Sequence, residues 1–167
     1  MKTLLITLFT FLIMVSFIKA EECIYSYETK PEEGKYTKQY SIATDRTEHS
    51  VRIFSIENNY KDKNKNCEGL SIVKELAWGY SDYINKSGPV KGYGTQIYSD
   101  GSTILLRFEG TSQNPEGKSE NFINIGTQYI VGGTGRYENV KGYGKTKGEF
   151  NPDTGYYNFK NILKYTK

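Results

Sequence analysis

Between an apolar run and a strand-like one, Val131 to Lys145 reads VGGTGRYENVKGYGK, with Gly132, Gly133 and Gly135 inside four residues. Glycine accepts positive φ and close backbone approach at no steric cost, so this cluster marks a tight, closely packed corner. The same stretch ends in one copy of a repeat: VKGYG stands at Val90–Gly94 and again at Val140–Gly144. Each copy leads into a strand, a hairpin turn and another strand. At a period of two, the valine and both glycines share one face, and the lysine and tyrosine share the other. Paired glycines inside a strand weaken it but permit sharp coiling or the close approach of another group. Two copies are too few for a solenoid or propeller, and fit one sheet that curls on itself.

Period two recurs along the chain. Tyr36, Lys38, Tyr40 and Ile42 alternate with Thr37, Gln39, Ser41 and Ala43, and Val51 to Ile56 is a compact apolar run. Ile104, Leu106 and Phe108 oppose Thr103, Arg107 and Glu109; Tyr157, Phe159, Leu163 and Tyr165 share a face near the end. Leu70 to Trp78 has a helical stripe of Leu70, Val73, Leu76 and Ala77 but is read as a strand. Ser99-Asp100-Gly101-Ser102 and Asn151-Pro152-Asp153-Thr154-Gly155 carry turn chemistry between strand-like runs. Ser112 to Glu120 is polar and reads as a loop at one end of the sheet. Eight or nine such runs with short connections predict an antiparallel sandwich or barrel.

Residues 1–20 are set apart. Lys2 precedes a nearly unbroken apolar run, Leu4 to Ile18, and Lys19-Ala20 leads into Glu21-Glu22, the layout of a secretory signal peptide cleaved after Ala20. The run is shorter than the ~20 residues that span a bilayer, so no stable membrane insertion is expected after cleavage. The remaining chain, 21–167, suits one domain. Lys2 and Lys19 leave with the leader, so the 22 basic residues become 20 against 19 acids. A balance that close gives no support to nucleic-acid binding. Cys23 and Cys67 survive processing, and in an oxidising compartment they are expected to pair. The destination is the extracellular space, or the periplasm of a bacterium.

Gly126 to Phe150, GTQYIVGGTGRYENVKGYGKTKGEF, resembles the C-terminal half of the dirigent and allene oxide cyclase-like barrel proteins. In that superfamily a strand ends in a GGTG-plus-aromatic corner, here Gly132, Gly133, Thr134, Gly135 and Tyr137, and a glycine-containing strand follows. Upstream, Gly92 to Thr111 looks like the family's preceding hairpin, and the resemblance covers Gly88 to Lys164. It implies an all-β fold, a single eight-stranded antiparallel β-barrel with a lined cavity, and homo-oligomers such as the trimers of the plant members. It implies no catalytic residue, because the glycine corner shapes the barrel end.

Other chemistries fail on spacing. From Gly133 the pattern lacks the third glycine and the helix of a dinucleotide fingerprint, and Asn139 stands where a P-loop needs glycine. His49 is the only histidine, without a nucleophile elbow, and no metal or cofactor site is expected. Arg107 and Glu109, on the polar side of an apolar strand, are candidates to orient a ligand in a lumen. Trp78 and Tyr80, with Tyr83, form an aromatic cluster able to stack on sugar rings or aromatic ligands. Asn85-Lys86-Ser87 is a glycosylation sequon. Three functions follow in order of preference. The first is a secreted barrel that binds a small apolar or aromatic molecule in its lumen without redox chemistry of its own. The second is a cofactor-free isomerase or cyclase on a lipid-derived substrate, and the third an extracellular barrel that binds a glycan or protein through its outer surface.

Overall fold

The computed structural model describes residues 21–61, 64–114, 120–151 and 153–167. The leader expected over 1–20, residues 115–119 of the polar loop, and Pro152 of the second hairpin turn lie outside the described residues. Nine strands follow one another: β1 Cys23–Thr29, β2 Gly34–Ala43, β3 His49–Asn59, β4 Ile72–Ile84, β5 Gly88–Tyr98, β6 Thr103–Gln113, β7 Phe122–Thr134, β8 Lys141–Asn151 and β9 Tyr156–Thr166. They form one antiparallel sheet in the order β1-β9-β8-β7-β6-β5-β4-β3-β2. The stretch after Leu70, with its helical stripe, is strand β4, as expected. Eight strands were expected and nine are present among the described residues. The additional one is β1, which pairs with β9 over its whole length from Cys23–Tyr165 to Thr29–Phe159.

β1 and β2 are the two edges of this sheet, yet only residues 30–33 separate them. A connection that short brings the edges together at one end, so the sheet must roll up. The turn is held firmly: the Glu33 carboxylate accepts from the Lys30 and Lys61 amides, both at 2.9 Å, and its carbonyl from Asn59 at 2.8 Å. No ladder joins β1 to β2 along the seam, so the barrel is not closed by hydrogen bonds. Side chains cross it instead. Tyr157 of β9, beyond the end of β1, lies so close to Gly34 of β2 that a Cβ there would sit 2.6 Å from its ring.

The expected faces of the repeat are found. Val90, Gly92 and Gly94 are buried and Lys91 and Tyr93 exposed; Val140 and Gly144 are buried and Lys141 and Tyr143 exposed. The inward glycines admit larger neighbours: a Cβ at Gly92 would lie 2.5 Å from the Phe108 ring, and one at Gly142 would strike Lys164 O and crowd Tyr165. Bulges at Thr37, Val73 and Val131 shift the alternation by one residue and add bend.

The inward side chains form two layers. One end is packed shut by Tyr25, Tyr98, Ile104, Leu106, Tyr137, Leu163 and Tyr165. The glycine corner builds this plug. Gly135 has φ +61, Gly133 has Tyr137 O where a Cβ would be, and the 3-10 turn Gly135–Tyr137 swings Tyr137 to full burial. Asn66 Nδ2 donates to Tyr137 OH (2.5 Å) and Tyr165 OH (3.0 Å), and Tyr165 OH donates to Glu68 Oε2. Next to Asn66, Cys67 is disulfide-bonded to Cys23, so the segment between β3 and β4 is tied across the plugged end. The other layer, with Phe54, Ile56, Ala77, Val90, Phe108, Phe150 and Phe159, surrounds a lumen.

Candidate functional site

The lumen is a cavity of about 90 Å³ to which all nine strands contribute, from Thr29 of β1 and Tyr36 of β2 round to Phe159 of β9. Arg52 and Tyr83 line both this cavity and a vestibule of about 400 Å³ among the β2–β3, β4–β5 and β8–β9 connections. The vestibule is therefore the mouth, opposite the tyrosine plug. A Cβ at Gly94 would meet nothing nearer than 3.5 Å, so the second glycine of the repeat leaves space inside the wall.

At the floor lies Glu75. Read straight from Ile72, alternation would point it outward, but the bulge at Val73 resets the phase and turns it inward with Ala77. Gln96, directly across on β5, donates from Nε2 to Glu75 Oε2 (3.1 Å) and to Tyr27 OH (2.5 Å); Tyr98 OH donates to Gln96 Oε1 (3.1 Å). Tyr60 OH and Thr29 Oγ1 share a 3.0 Å hydrogen bond alongside. Protein surrounds the carboxyl, and the exposure it keeps is to the cavity. Burial pushes Glu75 above the ordinary carboxylate value, against hydrogen bonds from Gln96, Tyr60 and Tyr27 that hold it down. Burial and then the Glu75 charge push the Tyr27, Tyr60 and Tyr157 phenols up. Burial shifts this carboxyl and these phenols towards their protonated forms, in which each can donate a hydrogen bond to an oxygen placed above the floor.

In and around the lumen, polar atoms stand without partners. Arg52 Nε, Ser81 Oγ, Gln128 Oε1 and both amide atoms of Asn58 are buried and make no hydrogen bond of good geometry. Asn58 and Gln128 do lie close enough to Glu75, Tyr157 and Tyr27 to bear on their ionisation. Each such atom costs roughly 1–3 kcal/mol when left dry, so a cluster around one cavity is a place that water or a ligand satisfies. Burial pushes the Tyr36 phenol up to about 12, with the Arg52 charge working against it.

The residues chosen from the sequence sit elsewhere. Trp78 and Tyr80 are 48% and 45% exposed on the outer face of β4. Arg107 is exposed on β6 with its guanidinium 4.8 Å from the Tyr129 ring centre, and Tyr129 OH donates to Glu109 Oε1 (3.0 Å). Cross-strand pairing places Trp78, Tyr93, Arg107, Tyr129 and Tyr143 in one outer row spanning β4 to β8. Only Glu109 also borders the cavity. His49 opens β3 and bonds Asp82 Oδ1 through Nε2 at 2.7 Å. Asn85 is exposed in a two-residue hairpin turn in which it and Lys86 both have positive φ. The sequence reasoning missed Glu75 and Arg52. For Arg52 a signal existed: it lies in phase with Phe54 and Ile56.

No family model and no curated protein matches the chain. Among solved structures it is similar to the pterocarpan synthase dirigent protein, with 15% sequence identity, a TM-score of 0.47, and coverage of 91% of this chain and 94% of that one. That level of likeness is too low to carry residue roles across.

Proposed function

We propose that this is a secreted ligand-binding barrel whose lumen takes a small apolar or aromatic molecule, without redox chemistry of its own. The unpartnered polar atoms of Arg52 and Gln128 in a cavity walled by Phe54, Ile56, Val90, Phe108 and Phe159 carry this reading. Phenylalanines and aliphatic side chains supply the burial, and a few placed polar groups fix orientation, the usual composition of a small-molecule site. The apolar leader and the Cys23–Cys67 bridge support secretion.

Native mass spectrometry of the protein from its source, compared with denaturing conditions, tests the proposal. A co-purifying small molecule is expected, and Ala77→Phe, which fills the lumen from β4, should lose it. An empty wild-type protein that binds on a glycan array instead would transfer the function to the outer aromatic row. Glu75 favours a second reading, a cofactor-free isomerase or cyclase, because a buried carboxyl ringed by phenols suits proton transfer. Glu75→Gln should keep the bound molecule unchanged if the barrel only binds, and should trap a different, unconverted molecule if it is an enzyme.

A further inference from the structure

Arg52 is 8% exposed and faces the lumen from β3, in phase with Phe54 and Ile56. Its Nη1 donates to Gln39 Oε1 (3.1 Å), and its guanidinium lies 5.5 Å from the Tyr36 ring centre and 5.8 Å from that of Phe54. Nε is buried without a hydrogen bond of good geometry, and the Tyr36 phenol lies close enough to the guanidinium for Arg52 to bear on its ionisation. No carboxylate of a described residue lies within ion-pair distance. Glu75, the carboxyl at the floor, is six residues deeper: Arg52 pairs across to Ser81, and Asn58 to Glu75. At about 3.3 Å per residue that separates the two by roughly 20 Å.

A buried guanidinium is costly unless an anion and hydrogen bonds compensate it, and two ring faces supply only part of that. Nε and its neighbour Nη2 are parallel donors, the fork that a carboxylate fits with both oxygens. Ser81, directly across, has a fully buried hydroxyl without a hydrogen bond of good geometry, close to the Tyr83 phenol that lines the cavity and its mouth. The cavity walls below are Phe54, Ala77, Val90 and Phe108.

We propose that the ligand is an apolar carboxylic acid, bound as its anion. Arg52 grips the carboxylate at the mouth through Nε and Nη2, and the apolar body points down the lumen towards Glu75. This rests on the lumen being a binding site and names the chemical class it takes. A cationic group stands at the mouth and an apolar wall lies below it, so a molecule with one anionic end enters in a single orientation.

Isothermal titration with 3-phenylpropanoate and with 3-phenylpropan-1-ol, equal in body and different in charge, tests it on the wild-type protein and on Arg52→Gln. The acid should bind wild type about tenfold or more tightly than the alcohol, the worth of a charged, two-point hydrogen bond. Arg52→Gln should erase that preference; Arg52→Lys, which keeps the charge without the fork, should retain part of it. Equal binding of acid and alcohol by wild type, a comparison that needs no variant, overturns the carboxylate while leaving the lumen in place. Undiminished acid binding by Arg52→Gln overturns it too. Binding of neither probe overturns both this proposal and the lumen reading beneath it.

Discussion

Replacing Ala77 by leucine asks whether the lumen is space or merely loose packing. Ala77 points inward from β4 between Ile56 of β3 and Gly94 of β5. The cavity beside it holds about 90 Å³. At ~24 cal/mol per Å³ of cavity, filling it is worth about 2 kcal/mol. The three added carbons, at ~0.8 kcal/mol each, give nearly the same figure. Both are ceilings, because a leucine that evicts water from Gln128 or Asn58 forfeits about 1 kcal/mol or more. The expected outcome is a net gain of about 1–2 kcal/mol in ligand-free protein. In urea unfolding this raises the midpoint by about 0.5–1 M at unchanged slope. The same variant should bind 3-phenylpropan-1-ol poorly, so stability and function move in opposite directions. A loss of 1 kcal/mol or more would show that the wall has no room there, and would refute the cavity.

Three other outcomes follow from the packing and the titrating groups. Removing the disulfide as Cys23→Ala/Cys67→Ala should cost about 4 kcal/mol, from the loop closed by a separation of 44 residues, read as the shift in urea midpoint between variant and wild type. Gly133→Ala puts a methyl 2.3 Å from Tyr137 O and 2.7 Å from Thr103 O, so it should cost about 3 kcal/mol and quench the near-ultraviolet dichroism of the tyrosine plug. The folded-state pKa of Glu75 is raised above 4.5, so between the two values the folded protein holds more protons than the unfolded chain. Its contribution to stability therefore falls as pH climbs from 4.5 through the raised value. The stability of Glu75→Gln relative to wild type should rise across that window, and a difference independent of pH would contradict the burial of the carboxyl.

The wall of the barrel was legible because period two survives in Val90-Lys91-Gly92-Tyr93-Gly94 and in its second copy, where small and apolar residues alternate with lysine and tyrosine. The plug was half legible: the glycines of 132–135 announced a corner, but only the fold brings Asn66 and Tyr165 to Tyr137. β1 went unread because Cys23 to Thr29 alternates tyrosine and cysteine with serine, isoleucine and glutamate, a weak contrast. The site was hidden for two reasons. Glu75 lies in a run that mimics an apolar stripe, and a bulge at Val73, silent in the sequence, decides that it faces in. Trp78, Tyr80 and Arg107 drew notice for chemistry that suits a ligand, yet alternation alone sorts residues into two faces without naming the inner one. Arg52 was the opposite case: its phase with Phe54 and Ile56 marked it as inward, but its charge made it look like surface.

The most direct measurement is a methyl-resolved NMR titration of the protein with 3-phenylpropan-1-ol, the uncharged probe that asks only whether the lumen is occupied. Ile56, Ala77 and Val90 point inward, whereas Val131, Ile125 and Ile162 point outward and are exposed. Occupation of the lumen predicts saturable shifts at the three inward methyl positions with the outward ones still. Shifts confined to Val131, Ile125, Ile162 and the Trp78 indole would place the binding surface outside the barrel and contradict the account.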